Sequence, residues 1–445
     1  MEMRLMTNTV MALGLAAAMS VAACSPADEN GVQAVPANDF LSSIGVNSSI
    51  DTRGESLEKT LECMQYLGAR WIRSGYGAKG FDSFDYLIDN GGIKFSMSIG
   101  TGTSGFEAPI EAAKHLKARG ALIAMEGANE PNNWTITYKG KEGGGKLSWM
   151  PVAECHRDFY AAIKATPELA DVDVWSITES GAQTDNVGLQ FTTIPEGAGC
   201  LLPAGTTFAD VVNVHNYFIH PNWPAPQDNQ TWNASDPSSA CRADGLYGNN
   251  GLTWLNKFRG YSEDECKTVR KVTTETGATI GGVVTEEMQA RMYMSCYLAQ
   301  FARGWEYTAM YILRDRSDEA GNQTFGFYTT DYRPRQAAHY LHNLTTILAD
   351  DTSIAKPGKV DFSIPEQPET VHTLLLQKND RTFELVVWGE KYAGGADDIT
   401  VSLGRKYRSV KVYDPTKGTE PVQTLTGVSE VSLTMTTHPY ILEFR

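Results

Sequence analysis

Basic side chains are scarce. The 445 residues carry 38 Lys and Arg against 53 Asp and Glu, a net charge of −15, so the chain lacks the cationic footprint that a nucleic-acid partner requires. One apolar run stands out, residues 10–23 (VMALGLAAAMSVAA). It has signal-peptide length, is too short to span a bilayer comfortably, and no other stretch reads as a membrane helix. Cysteine is limited to seven residues, none spaced as zinc ligands. No glycine-rich turn follows the first strand candidate, SSIGVNSSI, which argues against a doubly wound dinucleotide-binding sheet. There is no internal repeat. No motif implies a cofactor or a metal, and the acids of RDRSDE read as a solvated loop in preference to a calcium site.

The N-terminus reads as a targeting segment, with Arg4 as a thin basic region before the apolar run. It ends in VAAC, residues 21–24, followed by Ser25 and Pro26. This resembles a bacterial lipoprotein box with Cys24 as the lipid acceptor, an ordinary cleaved signal peptide being the alternative. Residues 25–39 (SPADENGVQAVPAND) are polar and read as a tether. The expectation is an exported protein, periplasmic or at the cell surface, touching the membrane only through lipid on Cys24. Such a compartment permits disulfides, and Cys200 and Cys241 bracket a long irregular segment that a bridge between them would staple. Cys155 and Cys296 share helical faces with apolar neighbours and are expected to be core thiols.

From Phe40 onwards strand and helix patterns alternate. The strand candidates are SSIGVNSSI, ARWIRSGY, IKFSMSIG, ALIAMEGANE, DVDVWSITES, DVVNVHNYF, KVTTETGA and WEYTAMYILRD. Helical periodicity lies between most of them. The spacing predicts a (β/α)8 barrel over residues 40–350. After Asp351 the pattern changes to short, often alternating runs such as HTLLLQK, TFELVVWG and EVSLTMTTHPYILEF, which predict a small antiparallel β-sandwich over residues 351–445.

Parity assigns the chemistry. In ALIAMEGANE, Ile123 and Met125 share one face, while Ala124, Glu126 and Glu130 share the other. Arg73 shares its face with Trp71, and Asn213, His215 and Tyr217 oppose Val212 and Val214. Barrel active sites form at the C-terminal strand ends, so Glu126 is expected deep and Glu130 at the rim. Glu275 lies near the end of the seventh strand. Two carboxylates converging on one pocket can cleave a glycosidic bond, one protonated to release the leaving oxygen and one ionised to attack. Glu126 is expected to be a structural partner of Arg73. Flat aromatic faces stack on sugars, and Trp134, Tyr138, Trp149, Trp223, Trp232, Tyr247 and Trp254 sit in or beside loops where some could form subsite walls.

These motifs resemble those of the retaining glycoside hydrolases of clan A, which share a (β/α)8 barrel. Their hallmark is Asn-Glu, often Asn-Glu-Pro, at the end of strand four and a second Glu at the end of strand seven. Here these are Asn129-Glu130-Pro131 and Glu275 in TTETG. The resemblance implies Glu130 as acid/base, Glu275 as nucleophile, Asn129 on a sugar hydroxyl, Arg73 bracing the nucleophile, and His215 and Tyr217 as the recurrent His-x-Tyr. FGFYTTDYRPRQAAHYLHNL and the C-terminal YDPTKG and THPYILEF also resemble these enzymes. One departure concerns strand eight, which often ends in a tryptophan platform. AMYILRD offers Tyr311, Arg314 or Asp315 instead, which leaves the sugar open.

The resulting expectation is a retaining glycosidase acting on a neutral β-linked poly- or oligosaccharide, with Glu130 and Glu275 catalytic and Asn129, Arg73, His215, Tyr217, Trp134 and Tyr311 binding substrate. A catalytically decayed glycan-binding protein is the alternative from another class. A Schiff-base aldolase would need an inward lysine near the rim, whereas Lys271 begins strand seven.

Overall fold

The computed structural model describes residues 31–74, 80–100, 105–179, 187–189, 191–219, 225–236, 260–318 and 324–445. Eight parallel strands form the barrel: β1 (Ile44–Asn47), β2 (Trp71–Ser74), β3 (Lys94–Ser98), β4 (Leu122–Glu126), β5 (Asp173–Trp175), β6 (Val212–His215), β7 (Lys271–Thr276) and β8 (Trp305–Met310). They are hydrogen-bonded in the order β6-β7-β8-β1-β2-β3-β4-β5. A parallel bridge from Trp175 to Val211 joins β5 back to β6 and closes the ring. Alternate residues on these strands face inwards. Trp71 and Ala124 pack in the interior with Trp175, Val211, Val272 and Ala309. Trp71, Trp175 and Tyr307 meet edge-on or tilted with centroids 5.6–6.1 Å apart, which fills the interior below the site. Arg73 and Glu126, two positions further along their strands, form the next layer towards the C-terminal rim.

The C-terminal domain is built on β9 (Val371–Gln377), β10 (Phe383–Gly389), β11 (Asp397–Tyr413), β12 (Gln423–Met435) and β13 (Pro439–Phe444), mutually antiparallel wherever they pair. The pairing of β11 with β12 is irregular between Ser402 and Tyr407. Val410 and Val412 pair with β13, whereas Ile399 and Val401, on the other side of the irregularity, pair with β12 alone among these strands. All four pack into one core with Leu385, Val387 and Leu442. The long hairpin thus covers the sheet it belongs to, as a bulged strand can.

The helix Glu286–Ala302 is buried at almost every position from Gln289 to Phe301. It lies between the two domains and has little polar face to show. Tyr392 donates to Ser295 Oγ at 3.3 Å and Arg291 to Thr437 Oγ1 at 2.7 Å across this junction.

Within the stretch read as a tether, residues 32–39 take part in the fold. Val32–Gln33 pairs antiparallel with Lys359–Val360, and Val35–Pro36 adds a parallel edge to β9. Ala37–Ser43 is a helix whose buried Phe40 meets Phe301 at 5.3 Å. Its composition suggested a linker because the strand partners of Val32–Gln33 and Val35–Pro36 lie more than three hundred positions away, beyond any local pattern. The targeting segment with Cys24 lies outside the described residues. Among the described helices, none is long and apolar enough to cross a membrane.

Candidate active site

Arg73 organises the pocket. It comes from β2, is buried, and spreads its guanidinium over three strand ends. Nε donates to Glu126 Oε2 at 3.0 Å, Nη2 to Asn129 Oδ1 at 2.8 Å, and Nη1 to Asn47 Oδ1 at 3.3 Å and to Glu275 Oε1. A buried guanidinium and buried carboxylates are tolerable only when paired and hydrogen-bonded. Ser96 supplies a further bond to Glu126 Oε1 at 2.6 Å. Glu126 is therefore the structural acid expected of it.

Strand β4 stops at Glu126, and Glu130 is reached by a turn. Its own φ is +41°, in the left-handed region that non-glycine residues avoid. Alternation along a strand therefore does not set its direction. Pro131 O is held by Gly145 N at 2.7 Å, and the N–H groups of Asn133 and Trp134 return to Glu130 O, each at 2.8 Å. Asn133 Nδ2 donates to Glu130 Oε2 at 3.0 Å.

His215 pairs in register with Glu275 across β6 and β7, and its ring is fully buried. Its Nδ1 lies 2.7 Å from Glu130 Oε1 and its Nε2 3.1 Å from Thr274 Oγ1. The protons on this line follow from counting. Thr274 has one hydroxyl hydrogen and gives it to Asn213 Oδ1 at 3.0 Å, while Asn213 Nδ2 points to Glu126 Oε2 at 3.5 Å. Thr274 must then accept from His215, which places a hydrogen on Nε2. A neutral His215 offers Nδ1 as an acceptor, so the short bond to Glu130 needs the proton on the glutamic acid. A cationic His215 would instead face an ionised Glu130. One proton is shared along this axis in either case.

Glu275 has different company. Tyr217 donates to Oε2 at 2.8 Å, and Arg73 holds Oε1. Burial pushes the Glu275 carboxyl above the ordinary carboxylate range, and Glu130 pushes the same way. His215, Arg73 and the Tyr217 hydroxyl pull it back. The Tyr217 phenol is itself driven well above its usual value by burial and by Glu275, so it stays a donor. The ligating atoms of Glu130, His215 and Glu275 all lie within 4.8 Å of one another. Such a trio could bind a cation, but both Glu275 oxygens already face donors and Arg73 already supplies positive charge.

Asn129, Glu130, Arg73, His215, Tyr217 and Glu275 thus meet in one buried cluster. Tyr311 stands beside it, its ring 6.4 Å from Tyr217 and 5.4 Å from Phe325. The two other strand-eight candidates are engaged elsewhere. Arg314 donates to Thr330 O at 2.8 Å, and Asp315 faces Arg335 at 2.5 Å. Trp134, on the turn after Glu130, is 55% exposed and available for stacking. Tyr138, Trp149 and Trp232 are not open faces. Tyr138 donates to Asp158 at 2.8 Å, Trp149 to Gly145 O at 3.1 Å, and Trp232 stacks on His372 at 4.0 Å between the domains. Trp223, Tyr247, Trp254 and Cys241 lie outside the described residues, so the Cys200–Cys241 bridge does too. Cys155 and Cys296 are buried thiols, and burial pushes Cys155 up to about 12. Of the acids of RDRSDE, Asp315 pairs with Arg335 and Asp318 with Arg316 at 2.8 Å, and Glu319 lies outside the described residues. Lys271 is lowered to about 8 by burial, a value that would suit Schiff-base chemistry. Its Nζ donates to Lys267 O at 2.9 Å at the opposite end of the barrel.

Asn47, Ser96, Asn133, Thr274 and Phe325 were not singled out by sequence reasoning. Asn47 carried a faint signal, as a polar residue at the end of an otherwise apolar strand. Thr274 and Phe325 carried none.

The fold and this cluster define a (β/α)8 barrel with its polar residues at the C-terminal strand ends and an antiparallel β domain behind it. Two solved structures are similar over nearly the whole chain. One is a family 39 glycoside hydrolase from the gut symbiont Bacteroides cellulosilyticus WH2, at 15% identity over 92% of this chain and 82% of that one, with a TM-score of 0.57. The other is CelM2, a bifunctional glucanase-xylanase from a metagenome library, at 11% identity over 93% and 97%, with a TM-score of 0.53. At these identities the likeness is one of fold. No protein-family model matches the chain, and no curated protein does.

Proposed function

We propose that the protein is a retaining glycoside hydrolase that cleaves a β-linked, neutral poly- or oligosaccharide by double displacement. The observation that carries this reading is the facing pair Glu130 and Glu275, with oxygen atoms within 4.8 Å and opposite surroundings. Inverting enzymes hold their carboxyl groups about 6.5–9.5 Å apart to admit a water, and retaining ones about 5–5.5 Å. Glu130, bonded to a histidine that can accept or return a proton, is suited to be the acid and then the base. Glu275, whose charge is met by Arg73 and Tyr217, is suited to attack the anomeric carbon. Asn129 and the exposed Trp134 are positioned to contact sugar, and Tyr311 with Phe325 offers the apolar wall that a strand-eight tryptophan supplies elsewhere. That CelM2 is a glucanase-xylanase is consistent with this reading.

The test is a screen on β-glucans, xylans, mannans and galactans, with NMR of the first-formed anomer. Retained configuration supports the proposal, and an inverted product contradicts double displacement. Binding to a glycan without any hydrolysis would favour the decayed binding protein. We further propose export and lipid anchoring at Cys24, which rest on VAAC and the polar segment behind it.

A further inference from the structure

The C-terminal domain sends one carboxylate into the barrel. Glu390 follows β10 and is completely buried. Its Oε2 accepts from Thr231 N at 2.9 Å and Trp232 N at 3.1 Å, and its Oε1 from Thr231 Oγ1 at 2.6 Å and Trp388 Nε1 at 3.3 Å. A carboxylate taken out of water is costly unless its lone pairs are filled, and here four donors fill them. Three belong to the short barrel helix Gln230–Ala234, which has no side-chain cap of its own: its preceding residue, Asn229, turns its side chain to Glu369 O at 3.1 Å. Two orphan N–H groups of its first turn, those of Thr231 and Trp232, are thus satisfied from the other domain.

The far side of this helix is tied to the residues that flank Tyr217. Gln230 Nε2 donates to Phe218 O at 2.6 Å, and Asn216 Nδ2 donates to Ala234 O at 2.9 Å. Asn216 is also clasped from within the barrel by Thr273 Oγ1 at 3.0 Å and Gln300 Nε2 at 3.3 Å, both on its Oδ1. Tyr217 therefore sits between two neighbours bonded to one helix, and that helix is held by Glu390. The hydroxyl of Tyr217 is the donor on Glu275 Oε2.

We infer that Glu390 is a positioning residue for the nucleophile, acting from the C-terminal domain through helix Gln230–Ala234 on Tyr217. This rests on the proposed reaction for its kinetic consequence but not for its structural one. Hydrogen bonds hold a donor in one place only if their own supports are fixed, and a site loosened by a fraction of an ångström loses rate more than binding.

Two measurements test it. Hydrogen exchange of the full chain should show faster exchange in peptides covering residues 212–219 in Glu390→Ala than in wild type, with peptides covering residues 290–300 unchanged. Unaltered exchange at 212–219 overturns the inference. Glu390→Gln, which can still accept from both backbone N–H groups, should restore most of the protection. For kinetics on an aryl β-glycoside, Glu390→Ala should lower kcat about tenfold with KM within about twofold, the scale of coupling expected between groups in one network. The same change in a Tyr217→Phe background should cost almost nothing further, because the hydroxyl it positions is gone. Equal losses in both backgrounds would mean that Glu390 does not act through Tyr217. If wild type cleaves no glycoside, the functional reading fails, and the exchange result alone decides the positioning.

Discussion

Removing one oxygen atom from Tyr217 tests how Glu275 is kept ionised. In Tyr217→Phe the ring can keep its contacts with Phe325 at 5.7 Å and Tyr311 at 6.4 Å, so no new space opens. What is lost is the hydroxyl that donates to Glu275 Oε2 at 2.8 Å. A hydrogen bond to a charged group contributes about 1.5–3 kcal/mol, and most of it favours the anion. At about 1.4 kcal/mol per pH unit, the acid limb of kcat/KM should move up by about one to two units. The sign follows from the surroundings: burial already pushes Glu275 upwards and Tyr217 opposes it, so removing Tyr217 lets the carboxyl rise further. Activity should therefore fall most steeply at low pH, while the basic limb, which reports the acid Glu130, stays in place. The assay is kcat/KM for an aryl β-glycoside across about pH 3–8. A uniform loss with an unmoved acid limb would refute the reasoning and put Tyr217 on the substrate instead.

Glu130→Ala and Glu275→Ala should fail in different ways. With an activated aryl glycoside the Glu130 variant should still form a glycosyl-enzyme and accumulate it, and azide should release a glycosyl azide of retained configuration. The Glu275 variant should form no covalent adduct by mass spectrometry; an inverted azide from the Glu130 variant would reverse the two roles. In the C-terminal domain, Glu384 is buried and pushed up to about 7, chiefly by desolvation, with Lys378 Nζ 2.9 Å away but donating to Ile347 O. Because this lies above its ordinary 4.5, the stabilising contribution is complete below that value and is lost as the pH rises through about 7. Glu384→Gln should remove that loss, on the order of 3 kcal/mol. Urea unfolding should show the variant gaining on wild type between acidic and alkaline pH, and a constant difference would disprove it. Trp134→Ala should raise KM without lowering the unfolding midpoint, since the side chain is mostly exposed; a loss of stability with no change in KM would make it a packing residue. Cys24→Ala should release the protein from the membrane fraction, and a fully soluble wild type would rule out the anchor.

Periodicity was enough to find the barrel, because alternation along a strand and 3.6-residue spacing along a helix are local consequences of burying one face. It also put Arg73, Glu126 and His215 inside, since each lies on or at the end of a strand whose apolar residues fix the parity, whereas Glu275 was placed by its position near the end of strand seven. Strand alternation alone does not account for Glu130, whose direction comes from a left-handed turn after β4. The rest depended on closure. Arg73 and Glu275 are separated by 202 positions, His215 and Glu130 by 85, and Glu390 and Thr231 by 159. The proton order along Thr274, His215 and Glu130, the edge strand made by Val35–Pro36, and the stacking of Trp232 on His372 between domains share that origin. A residue's local pattern records which face it must hide, but the partner that satisfies a buried donor or charge is chosen only when distant strands are brought into register.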